Sequence, residues 1–279
     1  MNRRFIPNAF TLCNLVCGCI ATGSAFHAHF GTAFLFILVG AFFDFFDGFA
    51  ARLLRVPSRM GIELDSLADC VTFGVAPSAM IFSLFTMVRY PELIYSPFWW
   101  TVLPFTAFLL AAFSAYRLAK FNLDERQHTE FIGMPTPACA IFWGALISSS
   151  KDYLCSPMFN APFLFAFMLM FCFLLVADIP MFSLKVKHLS LHDPANRLKL
   201  AFLCACVVVL VVCALLAPTP RQLWQYICRG IAACIALYVL SNIVLKLRMK
   251  SEEWPCGPNP LLEGATVAVA RRDGMARKE

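Results

Sequence analysis

The chain is a succession of apolar segments, each about as long as a bilayer is thick. Eight can be marked, at about 8–28, 31–52, 62–87, 98–119, 134–150, 161–178, 199–217 and 222–246. About 20 apolar residues carry a helix across the hydrocarbon core. No water is available there to bond an exposed backbone N–H or C=O, so a spanning segment is a helix or part of a closed barrel, and runs this long specify helices. Composition agrees: 60% of residues are hydrophobic, 29 are Phe and only 14% are charged, against about 25% in soluble domains. The fold class that follows is an all-α polytopic membrane protein with about eight transmembrane helices. Residues 1–249 form the membrane domain, and 250–279, rich in Pro, Gly and charge, read as a poorly ordered tail. Arg3 and Arg4 ahead of an apolar run resemble the start of a secretory signal. That run continues past Ala21 and the next span follows at once, so it reads as a retained first helix.

Orientation follows from the basic residues. With the N-terminus cytoplasmic, that side carries Arg3 and Arg4, then Arg52, Arg55 and Arg59, then Arg117, Lys120 and Arg126, then Lys185, Lys187, Arg197 and Lys199, and finally the tail. Of the 23 Lys and Arg, only Arg89, Lys151, Arg221 and Arg229 fall on the other side. This bias predicts that both termini are cytoplasmic, and the expected location is the cell (inner) membrane. The net charge of +6 then faces anionic headgroups, and its spread over membrane-adjacent loops argues against a nucleic acid partner. The 13 Cys contain no CxxC pair, and the five His no HExxH. Neither set reads as a metal centre.

Four aspartates interrupt the apolar pattern: Asp44 and Asp47 near the end of the second span, Asp65 and Asp69 near the start of the third. A carboxylate inside a bilayer costs roughly 2.5 kcal/mol or more, so it marks function by default. The topology puts all four near the cytoplasmic face; Asp44 is eight residues from Arg52, about 12 Å along a helix. Spacings of i, i+3 and i, i+4 project each pair from one helix face. Gly48 and Ala51 extend the first face and Gly61 the second, where small residues allow close approach. Four carboxylates on facing helices suit hard cations such as magnesium, manganese or calcium. Two such cations would clamp the phosphate oxygens of an in-line displacement, with Arg52 placed for a bidentate phosphate contact.

The pattern Asp44-x2-Asp47-Gly48-x2-Ala51-Arg52-x8-Gly61-x3-Asp65-x3-Asp69 resembles the signature of the CDP-alcohol phosphotransferases, with every defining position filled. Members of that family exchange CMP on a CDP-activated lipid or alcohol for an incoming hydroxyl. By position, the resemblance implies that Asp44, Asp47, Asp65 and Asp69 hold two divalent cations and that Asp69 is also the general base. It further implies that Asp47, Gly48, Ala51, Arg52, Gly61 and Asp65 form the CDP-binding surface. Around the motif, PNAFTLCNLVCG (7–18), LDSLADCVTFGVAPS (64–78), SAYRLAKFN (114–122), FIGMPTPACA (131–140) and FSLK (182–185) look most like the bacterial members whose acceptor is L-serine. The likeness covers about 5–190, the expected catalytic core. Lys120 stands where Arg is the rule, keeping the charge but losing the planar fork.

The reaction so implied is attack of the serine hydroxyl on the β-phosphorus of CDP-diacylglycerol, giving phosphatidylserine and CMP, in a homodimer. Candidates for the serine or its headgroup are Arg117, Lys120 and Asn122 at the cytoplasmic end of the fourth helix, Lys185, and Asn14 within the first. For Arg117 a positive-inside anchor competes with a ligand role, and for Asn14 a helix–helix hydrogen bond does. Two other readings stay open at this point. One keeps the chemistry with glycerol 3-phosphate, an inositol phosphate or choline as acceptor. The other is a divalent-cation transporter, against which the almost wholly apolar GTAFLFILVG (31–40) and PSAMIFSLFTMV (77–88) argue.

Overall fold

The computed structural model describes residues 5–54, 59–91, 96–123, 131–156, 159–177, 179–181, 194–220 and 222–248. Helices occupy all eight expected positions. They are α1 (Phe5–Phe26), α2 (Phe30–Leu53), α3 (Arg59–Asp69) running through a π-helical turn (Cys70–Val75) into α4 (Ala76–Phe85), α5 (Pro97–Val102) running through a 3₁₀ turn (Leu103–Ala107) into α6 (Phe108–Leu123), α7 (Thr136–Leu154), α8 (Ala161–Val176), α9 (Pro194–Leu215) and α10 (Leu223–Arg248). Five of these segments are long and apolar enough to cross a membrane: 5–26, 30–53, 59–85, 97–123 and 223–244. α8 and the apolar part of α9 are shorter. α7 is interrupted at Ser150 (φ −128°, ψ 22°), within a polar stretch of serines followed by Lys151 and Asp152.

The segment 59–85 is the axis of the molecule. Every residue of α4 except Phe82 is buried, and an element apolar on all sides is one that neighbours enclose. α1, α6 and α7 pack around it. Elsewhere large apolar side chains point outward, as with Leu203, Val207, Val208, Val211 and Val212 on α9, which suits a helix whose outer solvent is lipid. The π turn has a local cause. Pro77 has no N–H to give the carbonyl of Phe73 and would clash with it in an α-helix; ahead of it, the Ala76 N–H reaches back five residues to the Val71 carbonyl. The Ser78 hydroxyl donates to the next carbonyl, that of Gly74, at 2.8 Å.

Another feature that periodicity does not reveal lies outside the helices. Two short strands, β1 (Phe131–Ile132) and β2 (Pro180–Met181), pair antiparallel. Just beyond them the Gly133 N–H donates to Ile179 O at 2.8 Å and the Met134 N–H to Leu174 O at 3.0 Å. Gly133 has φ +80°, and a Cβ there would lie 2.7 Å from the Leu175 carbonyl, so only glycine fits. These bonds fix the chain immediately ahead of α7. Residues 1–242 form one compact unit and 243–279 a second, of which the final turns of α10 are the described part.

Candidate active site

Asp44 and Asp47 leave α2 one turn apart, and Asp65 and Asp69 leave α3 one turn apart. Asp44, Asp47 and Asp65 each offer a carboxylate oxygen, all within 4.8 Å of one another. Asp47 is buried and the other two are half-buried. The Asp44 carboxylate lies beside that of Asp65, and Thr11 of α1, whose hydroxyl donates to the Pro7 carbonyl at 3.1 Å, lies close to Asp47. Oδ2 of Asp47 and Oδ1 of Asp65 are buried without a hydrogen-bond partner among the described residues. At an effective dielectric of 20, two carboxylates at this separation repel by about 3 kcal/mol when both are ionised. Such a trio therefore calls for protons or a counter-cation. An all-carboxylate donor set with orphaned oxygens fits a hard divalent cation.

Asp69 stands outside this group of three, one turn deeper and buried. Its Oδ1 accepts from Asn14 Nδ2 at 3.0 Å, and Asn14 is fully buried. The Asn14 carbonyl in turn accepts from the Thr72 hydroxyl at 3.0 Å. Two glycines make this crossing possible: a Cβ at Gly18 would lie 2.4 Å from Thr72 Oγ1, and one at Gly40 2.9 Å from Asn14 Oδ1. Asn14, expected either at the substrate or in a helix–helix bond, makes the bond, and makes it to the candidate base.

The open side of the site is as informative. A Cβ at Gly48 would meet nothing within 4 Å, so this face of α2 borders a space that the protein leaves unfilled. Ala51 and Gly61 are half-buried near the same end of the helices. Arg52 is exposed and turns its Nε onto the Gly48 carbonyl at 2.9 Å. At the end of α6, Asn122 Nδ2 donates to the Ser66 hydroxyl at 2.8 Å, which ties α6 to the carboxylate-bearing α3. Lys120 is half-buried, and Lys185 lies outside the described residues. Arg117, which sequence alone left between an anchor and a ligand role, is buried at 6% exposure and interacts electrostatically with Asp69. A snorkelling anchor would be exposed.

Thr11, Ser66 and Thr72 were not singled out from the sequence. Thr11 and Asn14 are spaced i, i+3 in an otherwise apolar helix, and that spacing was the available signal for a polar face on α1.

Residues 4–181 match the family model described as CDP-alcohol phosphatidyltransferase. The chain is 43% identical over 137 residues to a Bacillus subtilis protein named CDP-diacylglycerol–serine O-phosphatidyltransferase, an alignment covering 48% of this chain and 70% of that one. It is 30% identical over 218 residues to a Mycobacterium bovis protein of the same name, covering 75% and 72%. A Saccharomyces cerevisiae protein of that name is 40% identical over 114 residues, covering 38% and 37%. The matched region contains all four aspartates and every helix from α1 to α8, and the chain belongs to the CDP-alcohol phosphatidyltransferase family.

Proposed function

We propose that the protein transfers the phosphatidyl group of CDP-diacylglycerol to the hydroxyl of L-serine, giving phosphatidylserine and CMP. The observation that carries this is the trio Asp44, Asp47 and Asp65, gathered at the family's motif positions beside the open face of Gly48. The names of the similar proteins supply the acceptor.

Asp44, Asp47 and Asp65, with Asp69 completing the set, would hold two divalent cations, magnesium or manganese, which when bound offset charge on the pyrophosphate oxygens. The remaining roles fall to side chains of this chain. Asn14 engages Oδ1 of Asp69 and so orients the carboxylate, whose other oxygen takes the proton of the serine hydroxyl. The serine oxygen bonds to the β-phosphorus, the bond from that phosphorus to the CMP oxygen breaks, and CMP leaves with the electron pair. Gly48, Ala51 and Gly61 border the CDP, and Arg52 contacts its phosphates, while Arg117 is the partner for the serine carboxylate. The distribution of Lys and Arg supports a cytoplasmic site, cytoplasmic termini and eight crossings of the cell membrane. Residues 5–190 form the catalytic core within a domain spanning 1–249, and the family supports a homodimer. A transporter is disfavoured because, beyond the aspartates, α2 buries Ala33, Phe34 and Ile37 and α4 buries Met80, Ile81, Leu84 and Phe85.

Purified protein with manganese or magnesium is expected to release CMP from CDP-diacylglycerol only when L-serine is added. Equal release with glycerol 3-phosphate and none with serine would assign a different acceptor.

A further inference from the structure

On the side of Asp69 away from the carboxylate trio lies a second group of buried polar atoms that no described residue pairs. Ser114 is fully buried, Thr136 is 1% exposed and Arg117 is 6% exposed. Among the described residues, the Ser114 hydroxyl, the Thr136 hydroxyl and Arg117 Nε have no hydrogen-bond partner. A buried polar group without a partner costs about 1–3 kcal/mol, more when charged. Three in one region therefore point to a ligand.

Their placement specifies its chemistry. Ser114 and Arg117 share one face of α6 at i, i+3 spacing, and Ser114 lies against the π turn, with its Cβ 3.2 Å from where a Gly74 Cβ would be. The Arg117 guanidinium lies near Cys139, Asp69 and Tyr238. Cys139 belongs to the first turn of α7, on the same face as Thr136, so Arg117 lies alongside the N-terminal end of that 19-residue helix. A helix N-terminus carries partial positive charge and unpaired N–H groups, and here a guanidinium is added. The terminus is held in place by the backbone bonds at Gly133 and Met134. Tyr238, buried at 9% exposure, brings α10 to the same place, although α10 lies beyond the family-matched residues 4–181.

We propose that Arg117, Ser114, Thr136 and the N-terminus of α7 form the pocket for the carboxylate of the amino-acid acceptor, with Tyr238 of α10 as its far wall. The proposal rests on the serine reading above and adds where the carboxylate sits, next to the base that receives the hydroxyl proton. It also gives the last helix a part in choosing the acceptor.

The test compares L-serine with serinol, which has the same amine and a hydroxyl but no carboxylate, using full-length protein in detergent with CDP-diacylglycerol and manganese. The readout is the ratio of kcat/KM for serine to that for serinol. Losing one hydrogen bond to a charged group corresponds to roughly tenfold or more. Thr136→Val and Ser114→Ala are each expected to lower the ratio by about that factor, and Thr136→Ser to keep it. An unchanged ratio in both Thr136→Val and Ser114→Ala overturns the pocket. So does a raised KM for CDP-diacylglycerol at constant ratio, which would assign the anion site to a donor phosphate. An unchanged ratio in Tyr238→Phe removes α10 from it. Wild-type protein that shows no serine-dependent CMP release would instead overturn the serine reading itself.

Discussion

Replacing Gly48 by alanine should separate stability from activity in opposite directions. Gly48 sits inside α2, where glycine costs about 0.5–1 kcal/mol relative to alanine through backbone entropy. The added methyl group would meet no protein atom within 4 Å, so no packing penalty opposes that gain. Gly48→Ala is therefore expected to raise the free energy of unfolding by up to about 1 kcal/mol. The same methyl would project into the space assigned to the CDP moiety. Overfilling a fitted site costs about 1–3 kcal/mol, and each 1.4 kcal/mol is a factor of ten. Serine-dependent CMP release should then fall by roughly 5- to 150-fold in kcat/KM. Thermal unfolding of the detergent-solubilised variant and the CMP assay run side by side decide the matter. A variant that is less stable, or one that keeps wild-type kcat/KM, would refute the reasoning, because the first means that the space beside Gly48 is not open and the second that it is not the nucleotide's.

Two further outcomes are expected. Asp69→Asn should lower turnover by at least ~100-fold, the low end for loss of a general base, while CMP binding measured by calorimetry persists; near-normal turnover would remove Asp69 from the chemistry. Gly18→Ala should destabilise the protein by about 1–3 kcal/mol or more in thermal unfolding, because its methyl would fall 2.9 Å from the backbone of Thr72 as well as 2.4 Å from its hydroxyl; an unchanged melting temperature would show that α1 and the π turn do not cross as described.

The positions of the helices were legible because the bilayer sets a length and the apolar runs obey it. The motif was legible because helical spacing turns fixed offsets into a shared face. What escaped was of a different kind. The bond from Asn14 to Asp69 spans 55 residues, and no local pattern specifies which polar residue of one helix meets which of another. Arg117 sits where a positive-inside anchor would also sit, and only packing distinguishes the two. The pairing of β1 with β2 joins two-residue segments nearly 50 residues apart, too short to leave any alternation. The π turn was hidden because its residues are as apolar as those of an α-helix.

That π turn has a consequence for the angular phase of the catalytic helix. Each residue advances an α-helix by about 100°, and a π turn accommodates one residue more than the α pattern allows. Counted along the sequence, the carboxylates at 65 and 69 are therefore one step out of phase with the core positions at 80 and 84. An uninterrupted α-helix of the same residues would turn either the aspartates away from α2 or Phe82, the one residue of α4 that is not buried, away from its place. The turn works as an angular offset between two rigid rods, one aimed at chemistry and the other at packing. A helical wheel drawn through 59–85 as a single rod would assign its faces wrongly; drawn as two, it separates them.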